Sequence, residues 1–152
     1  MAKEGEVMNN DGIEIITKDG VCNAQQISDR LTENMERTVL LLYGFASGRS
    51  TVRILVTNMG MSQRESISIT DALCAIGLVY YPSFGTVALT EIGRLSGEYL
   101  ILRQRLSTSL LTFINGRAPD EREIKKVSRA LCCTTVKNLE RFIESYEIIL
   151  SH

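Results

Sequence analysis

Few side chains in this sequence are suited to covalent or metal chemistry, and their spacing is poor for either. The cysteines are Cys22, Cys74, Cys132 and Cys133, none in a Cys-x-x-Cys pair, and the one histidine is His152. A structural zinc site wants four soft ligands at close, paired spacings, so no metal site is expected. The thiols read as reduced and mostly buried. The neighbours Cys132 and Cys133 form the one pair able to take a soft metal or respond to oxidants. Arg129 lies one helical turn from Cys132 and could lower its pKa, but a cation alone does not make a catalyst. There is no Ser, His and Asp set and no glycine-rich phosphate loop. The expectation is therefore no enzyme and no cofactor.

What remains is recognition chemistry, concentrated between residues 49 and 86. Gln63 can pair with adenine, Arg64 can donate two bonds to guanine, Ser68 is adaptable, and Ile67 can touch a thymine methyl. Arg49, Arg53, Ser62, Ser83 and Thr86 are the candidate phosphate contacts. Asp71, on the same helical face, would repel phosphate, and the turn Pro82-Ser83-Phe84-Gly85 carries no Lys or Arg.

The elements that must position these residues follow from periodicity. Met35, Val39, Leu42 and Ala46 recur at helical spacing, with Gly48 as the stop. Ser50 or Thr51 caps a second helix with apolar positions Val52, Leu55, Val56 and Met59, closed by Gly60. Ser62-Gln63-Arg64-Glu65 is a capping box opening a third helix, whose inward stripe reads as Ile69, Ala72, Leu73 and Ile76. Two β-prone runs, Leu78 to Tyr81 and Thr86 to Leu89, flank a turn. Thr90 caps a long helix bearing Leu95, Tyr99, Leu102, Leu106, Leu110 and Phe113. Asn115 to Pro119 break it, and a last helix carries Val136, Leu139, Ile143, Tyr146 and Leu150.

This order predicts a mainly α fold with a small β-wing: a winged helix-turn-helix plus a helical dimerisation region. The expected divisions are an N-terminal extension over 1–31, with a short hairpin or strand within Asp11 to Val21, the winged domain over 32–92, and the dimerisation region over 93–152. Leu102, Leu106, Leu110, Phe113, Leu139, Ile143 and Tyr146 are the candidate dimer contacts. With 152 residues and a net charge of −1, basic character is only local. No run approaches the roughly 20 apolar residues of a membrane span, and MAKEGEVMNNDG lacks a signal-peptide core, so a cytoplasmic location is expected. The function implied is sequence-specific binding of double-stranded DNA by a homodimeric transcriptional regulator. The alternative is a winged-helix interaction module or scaffold subunit.

Several segments carry a family likeness. Thr32-Glu33-Asn34-Met35-Glu36 opens the first helix, Met59-Gly60-Met61-Ser62 forms the turn, and Gly77-Leu78-Val79-Tyr80-Tyr81 enters the wing. Val87-Ala88-Leu89-Thr90-Glu91-Ile92-Gly93-Arg94 leaves it, ahead of Leu102-Arg103-Gln104-Arg105-Leu106. From Thr32 to Phe113 the chain resembles the iron- and manganese-dependent repressors (diphtheria-toxin-repressor and manganese-regulator type). It is similar, more distantly, to multiple-antibiotic-resistance-type repressors, which share the Leu-Thr-Glu-x-Gly-Arg exit. The resemblance implies a repressor, dimeric on a palindromic operator, whose metal ligands lie on the first, long and later helices. In this sequence those places hold Arg37, Leu40, Gln104, Ser128 and Arg129, which are poor divalent-metal donors. The metal switch of the family is therefore not expected here. Arg37 and Arg129 are candidates to fill the vacated site or to bind an anionic effector.

Overall fold

The computed structural model describes residues 7–8, 14–15 and 18–150, and side chains from 23 to 147. The chain forms two compact units, divided between Tyr99 and Leu100 inside one long helix. Each unit is described by itself.

The first unit opens with a two-residue antiparallel pair, β1 (Val7–Met8) and β2 (Glu14–Ile15), then α1 (Lys18–Ser28). Most of the strand expected within Asp11 to Val21 falls outside the described residues or inside α1. α2 (Glu33–Gly44) starts where Thr32 accepts the Met35 N–H, with Glu33 and Glu36 at its positive end. It buries Val39 and Leu42 but stops at Gly44, so Ala46 lies beyond it and is exposed. Gly48, at φ +64°, turns the chain into β3 (Arg49–Thr51). In the sequence Ser50 or Thr51 reads as a helix cap, which Thr51 provides, and no strand is expected over these three residues. They become a strand because β5 pairs with them, a tertiary effect outweighing local propensity.

α3 (Val52–Met59) is capped by Thr51 and buries Leu55 and Met59, and Gly60 closes it at φ +66°. α4 (Gln63–Ala75) starts where Ser62 accepts the Glu65 N–H at 3.2 Å. β4 (Val79–Ser83) and β5 (Thr86–Leu89) follow, completing an antiparallel sheet in the order β3-β5-β4. Thr90 then locks the exit: it accepts the Gly93 N–H at 3.0 Å and donates to the Gly77 carbonyl at 2.6 Å. This opens α5 (Glu91–Asn115). Ser28 donates to its own helix at Ala24 O, so the 2.6 Å contact between Ser28 and Ser96 hydroxyls leaves Ser96 as donor, tying α1 to α5.

The inward face of α4 corrects the sequence reading. Ser66, Thr70 and Leu73 are buried and Ile69 is half-buried, whereas Ala72 and Ile76 are exposed. The buried stripe is rotated about the helix axis by roughly 70–80° from the expected one, toward the side of Gln63, and two hydroxyl residues occupy it.

The second unit holds the rest of α5, α6 (Glu121–Ala130), capped by Asp120, and α7 (Cys133–Leu150). Leu100, Leu106, Leu111 and Val136 are buried. So is Arg103, whose Nε donates to Ser128 Oγ at 3.2 Å. Phe113 meets Tyr146 edge to face, with centroids 4.8 Å apart, and Phe142 stacks at 6.5 Å from the same ring.

Candidate nucleic-acid interface

α4 presents a polar first turn and a mixed second turn. Gln63, Arg64, Ile67 and Ser68 are all exposed; Arg64 and Ser68 lie opposite Ser66, Thr70 and Leu73, whereas Gln63 and Ile67 flank that buried stripe on its sheet side. The Ser62 cap leaves the remaining N–H groups of the first turn facing solvent, where the helix carries partial positive charge. Ser62, Arg64 and Ser68 share a shallow concavity with Asn34 of α2.

A second concavity joins α4 to the sheet, lined by Val52, Gln63, Ile67, Tyr81, Ser83, Phe84 and Gly85. Ser83 is thereby brought beside Gln63 and Ile67. Arg49 and Arg53 are exposed, on β3 and at the start of α3, and line neither concavity; Thr86 is half-buried on β5. From Val79 to Leu89 the wing carries no charge, so the arginines are the positive groups around it.

One contact escaped sequence reading. The Tyr81 hydroxyl reaches Asp71 Oδ1 at 2.5 Å and Thr70 Oγ1 at 3.0 Å, linking the wing to the exposed side of α4. Burial raises the Tyr81 pKa above its ordinary value, and the bond to Asp71 raises it further, so the phenol stays a donor. Asp71, expected as a bare charge, is therefore held by a donor. Period-based reading placed Tyr81 in a strand, but it carries no signal for pairings between elements.

The cysteines depart from expectation. Cys74 and Cys132 are exposed and Cys133 is half-buried; the Cys22 side chain lies outside the described residues, as does His152. Among the described residues no three His, Cys, Asp or Glu side chains gather into a metal-sized cluster.

No protein-family model matches this chain, and no curated protein matches it. Among solved structures it is similar to the iron-dependent repressor IdeR of T. acidophilum, with a TM-score of 0.51 and 18% identity over 74% of this chain and 54% of that one. The fold is a winged helix. This chain spans about half the length of that protein. It is also similar to a multiple antibiotic-resistance repressor (MarR) of Listeria monocytogenes 4b F2365, at a TM-score of 0.42 and 19% identity, covering 88% of this chain and 84% of that one.

The name IdeR implies iron, and the residues here do not fit it. Arg37 stands where the resemblance implies a carboxylate, and its guanidinium reaches Asn34 Oδ1 and the Met59 carbonyl, each at 3.5 Å. Ser128 is fully buried and already accepts from Arg103. Leu40 and Gln104 supply no anionic donor, and a guanidinium in place of a carboxylate at position 37 repels a divalent cation.

Proposed function

We propose that this chain is a DNA-binding transcriptional regulator, acting as a homodimer and without metal activation. The observation that carries the reading is the exposed first half of α4. Gln63, Arg64 and Ser68 stand free of the core beside a capped helix N-terminus, with Arg49 and Arg53 on adjoining elements of the same unit. These side chains suit base edges and phosphates, and a helix-turn-helix delivers its second helix to the major groove. Metal independence rests on the donor set, in which Arg37, Leu40, Gln104, Ser128 and Arg129 replace ligands. No described helix is long and apolar enough to cross a membrane.

A second reading, a winged-helix interaction module, draws support from Ile67, Tyr81 and Phe84, exposed apolar groups near the same face. Fluorescence anisotropy on duplex DNA across a salt series separates the two, run with and without manganese, iron or zinc. The regulator reading expects affinity to fall with salt at a log–log slope of several units, unchanged by metal. Arg64→Ala should cost about ten-fold or more on a selected site and little on random DNA, the scale of one bidentate base contact. No binding at low salt, with or without metal, would pass the lead to the interaction module.

A further inference from the structure

Among the described residues of the first unit, one large apolar side chain stands wholly in water. Phe84 is 107% exposed, against 40–45% for Ile54, Ile67, Tyr80 and Tyr81. A phenyl ring there adds nothing to the core, and water disfavours it. Its mount is firm. Ser83 pairs with Thr86 across the ladder, Gly85 takes the left-handed conformation at φ +74°, and the Gly85 carbonyl accepts the Val52 N–H at 2.9 Å. The turn is fixed on one side by the sheet and on the other by the start of α3, so little backbone freedom is lost when the ring is buried by a partner.

The uncharged hairpin cannot gain affinity by releasing counterions, so the ring is what it offers. Phe84 lines a concavity of about 580 Å³ together with Gln63 and Ile67 of α4. Were Gln63 and Ile67 to meet base edges in the major groove, the sugar-phosphate ridge bounding that groove would run along this concavity. Val52, Tyr81 and Ile67 suit its deoxyribose rings, and Ser83 suits its phosphates. Beyond the ridge lies the minor groove, about 6 Å wide, which admits an aromatic ring edge-on.

We propose that Phe84 is an apolar wedge that enters the minor groove beside α4, partly unstacks one base step and bends the duplex. The inference rests on the DNA-binding reading above and adds a deformation to it. Unstacking is easiest at TA and CA/TG steps, so bound sites should carry such a step at a fixed distance from the bases read by α4.

The test measures bend and affinity together, using end-labelled duplexes selected by the full-length chain and resonance energy transfer between their ends. The unaltered protein should bend the duplex by about 20–90°, the range of known wedges. Phe84→Ala should at least halve that bend and weaken binding about ten-fold, with the salt slope unchanged because no ion pair is removed. Phe84→Trp should keep the bend. Because the ring is fully exposed, thermal melting of Phe84→Ala should match the parent, which excludes misfolding as the cause. A straight duplex in the parent complex, or an alanine variant that binds and bends as the parent does, overturns the wedge while leaving DNA binding intact. Absence of any DNA binding by the parent overturns the underlying reading, and the wedge with it.

Discussion

Gly93 sits at the exit of the wing, where a β-carbon would lie 2.0 Å from the Leu78 carbonyl oxygen. That oxygen accepts the Thr90 N–H, so it belongs to the joint between sheet and helix and cannot yield as a side chain would. Around it, Thr90 caps α5, while Arg94 pairs with Glu91 and reaches Glu98 at 2.6 Å. The Leu-Thr-Glu-x-Gly-Arg run is therefore a joint built for close backbone approach, and it needs no ligand to explain it. Gly93→Ala should cost about 3 kcal/mol or more, as backbone overpacking does, and should lower the urea midpoint sharply. Gly97 is a useful comparison, because its added β-carbon would meet the Tyr43 ring at 2.7 Å, a side chain with some room to turn. An alanine at 93 tolerated better than one at 97 would refute this account. The run itself was legible in the sequence. Its purpose was not, since the carbonyl it must clear lies fifteen residues upstream.

At the scale of elements, α4 shows where periodicity succeeds and where it misleads. Its start was legible because Ser62 and Glu65 satisfy a local rule of three-residue reach. Its inward face was not, because hydropathy treats Ser66 and Thr70 as outward residues. Thr70 reaches the inside without leaving its hydroxyl unpaired, donating to Ile67 O at 3.0 Å. Ser66 is different: its hydroxyl is buried without a hydrogen-bond partner, beside a void lined by Thr38, Leu55, Met59 and Ile69 that is too small for a water. A buried hydroxyl left unpaired costs about 1–3 kcal/mol, so Ser66→Ala should stabilise the protein, by ~1 kcal/mol once lost packing is subtracted. Denaturant unfolding should show a higher midpoint at unchanged slope. A loss of stability instead would mean that the hydroxyl is bonded. β3 was missed for the converse reason, since its three residues acquire strand geometry only by pairing with β5.

For the whole molecule, the open matter is what covers the second unit. Stripes along α5 and α7 were legible, but spacing cannot say which side faces the chain's own core. Leu106, offered as a dimer contact, is only 5% exposed and has little area left to give. Leu102, Leu110, Leu139, Ile143 and Tyr146 are half-buried, and Phe113 is exposed. Ile114 and Phe142 stand out as well, and Phe142 joins Phe113 around Tyr146. An aromatic cluster this open is costly in a monomer, and a second copy can cover it through a self-complementary interface of about 1,200–2,000 Å². Sedimentation should then give twice the chain mass of 17.0 kDa at micromolar concentration. Phe113→Glu with Phe142→Glu should halve that mass while leaving helical content unchanged, because neither ring lies in the core. DNA affinity should fall with it by at least about a hundred-fold, since two half-sites bound together add their free energies and one does not. A parent protein that sediments as a monomer even at tens of micromolar, where only weak association escapes detection, would remove the dimer from the proposal, and a symmetric operator would no longer be expected.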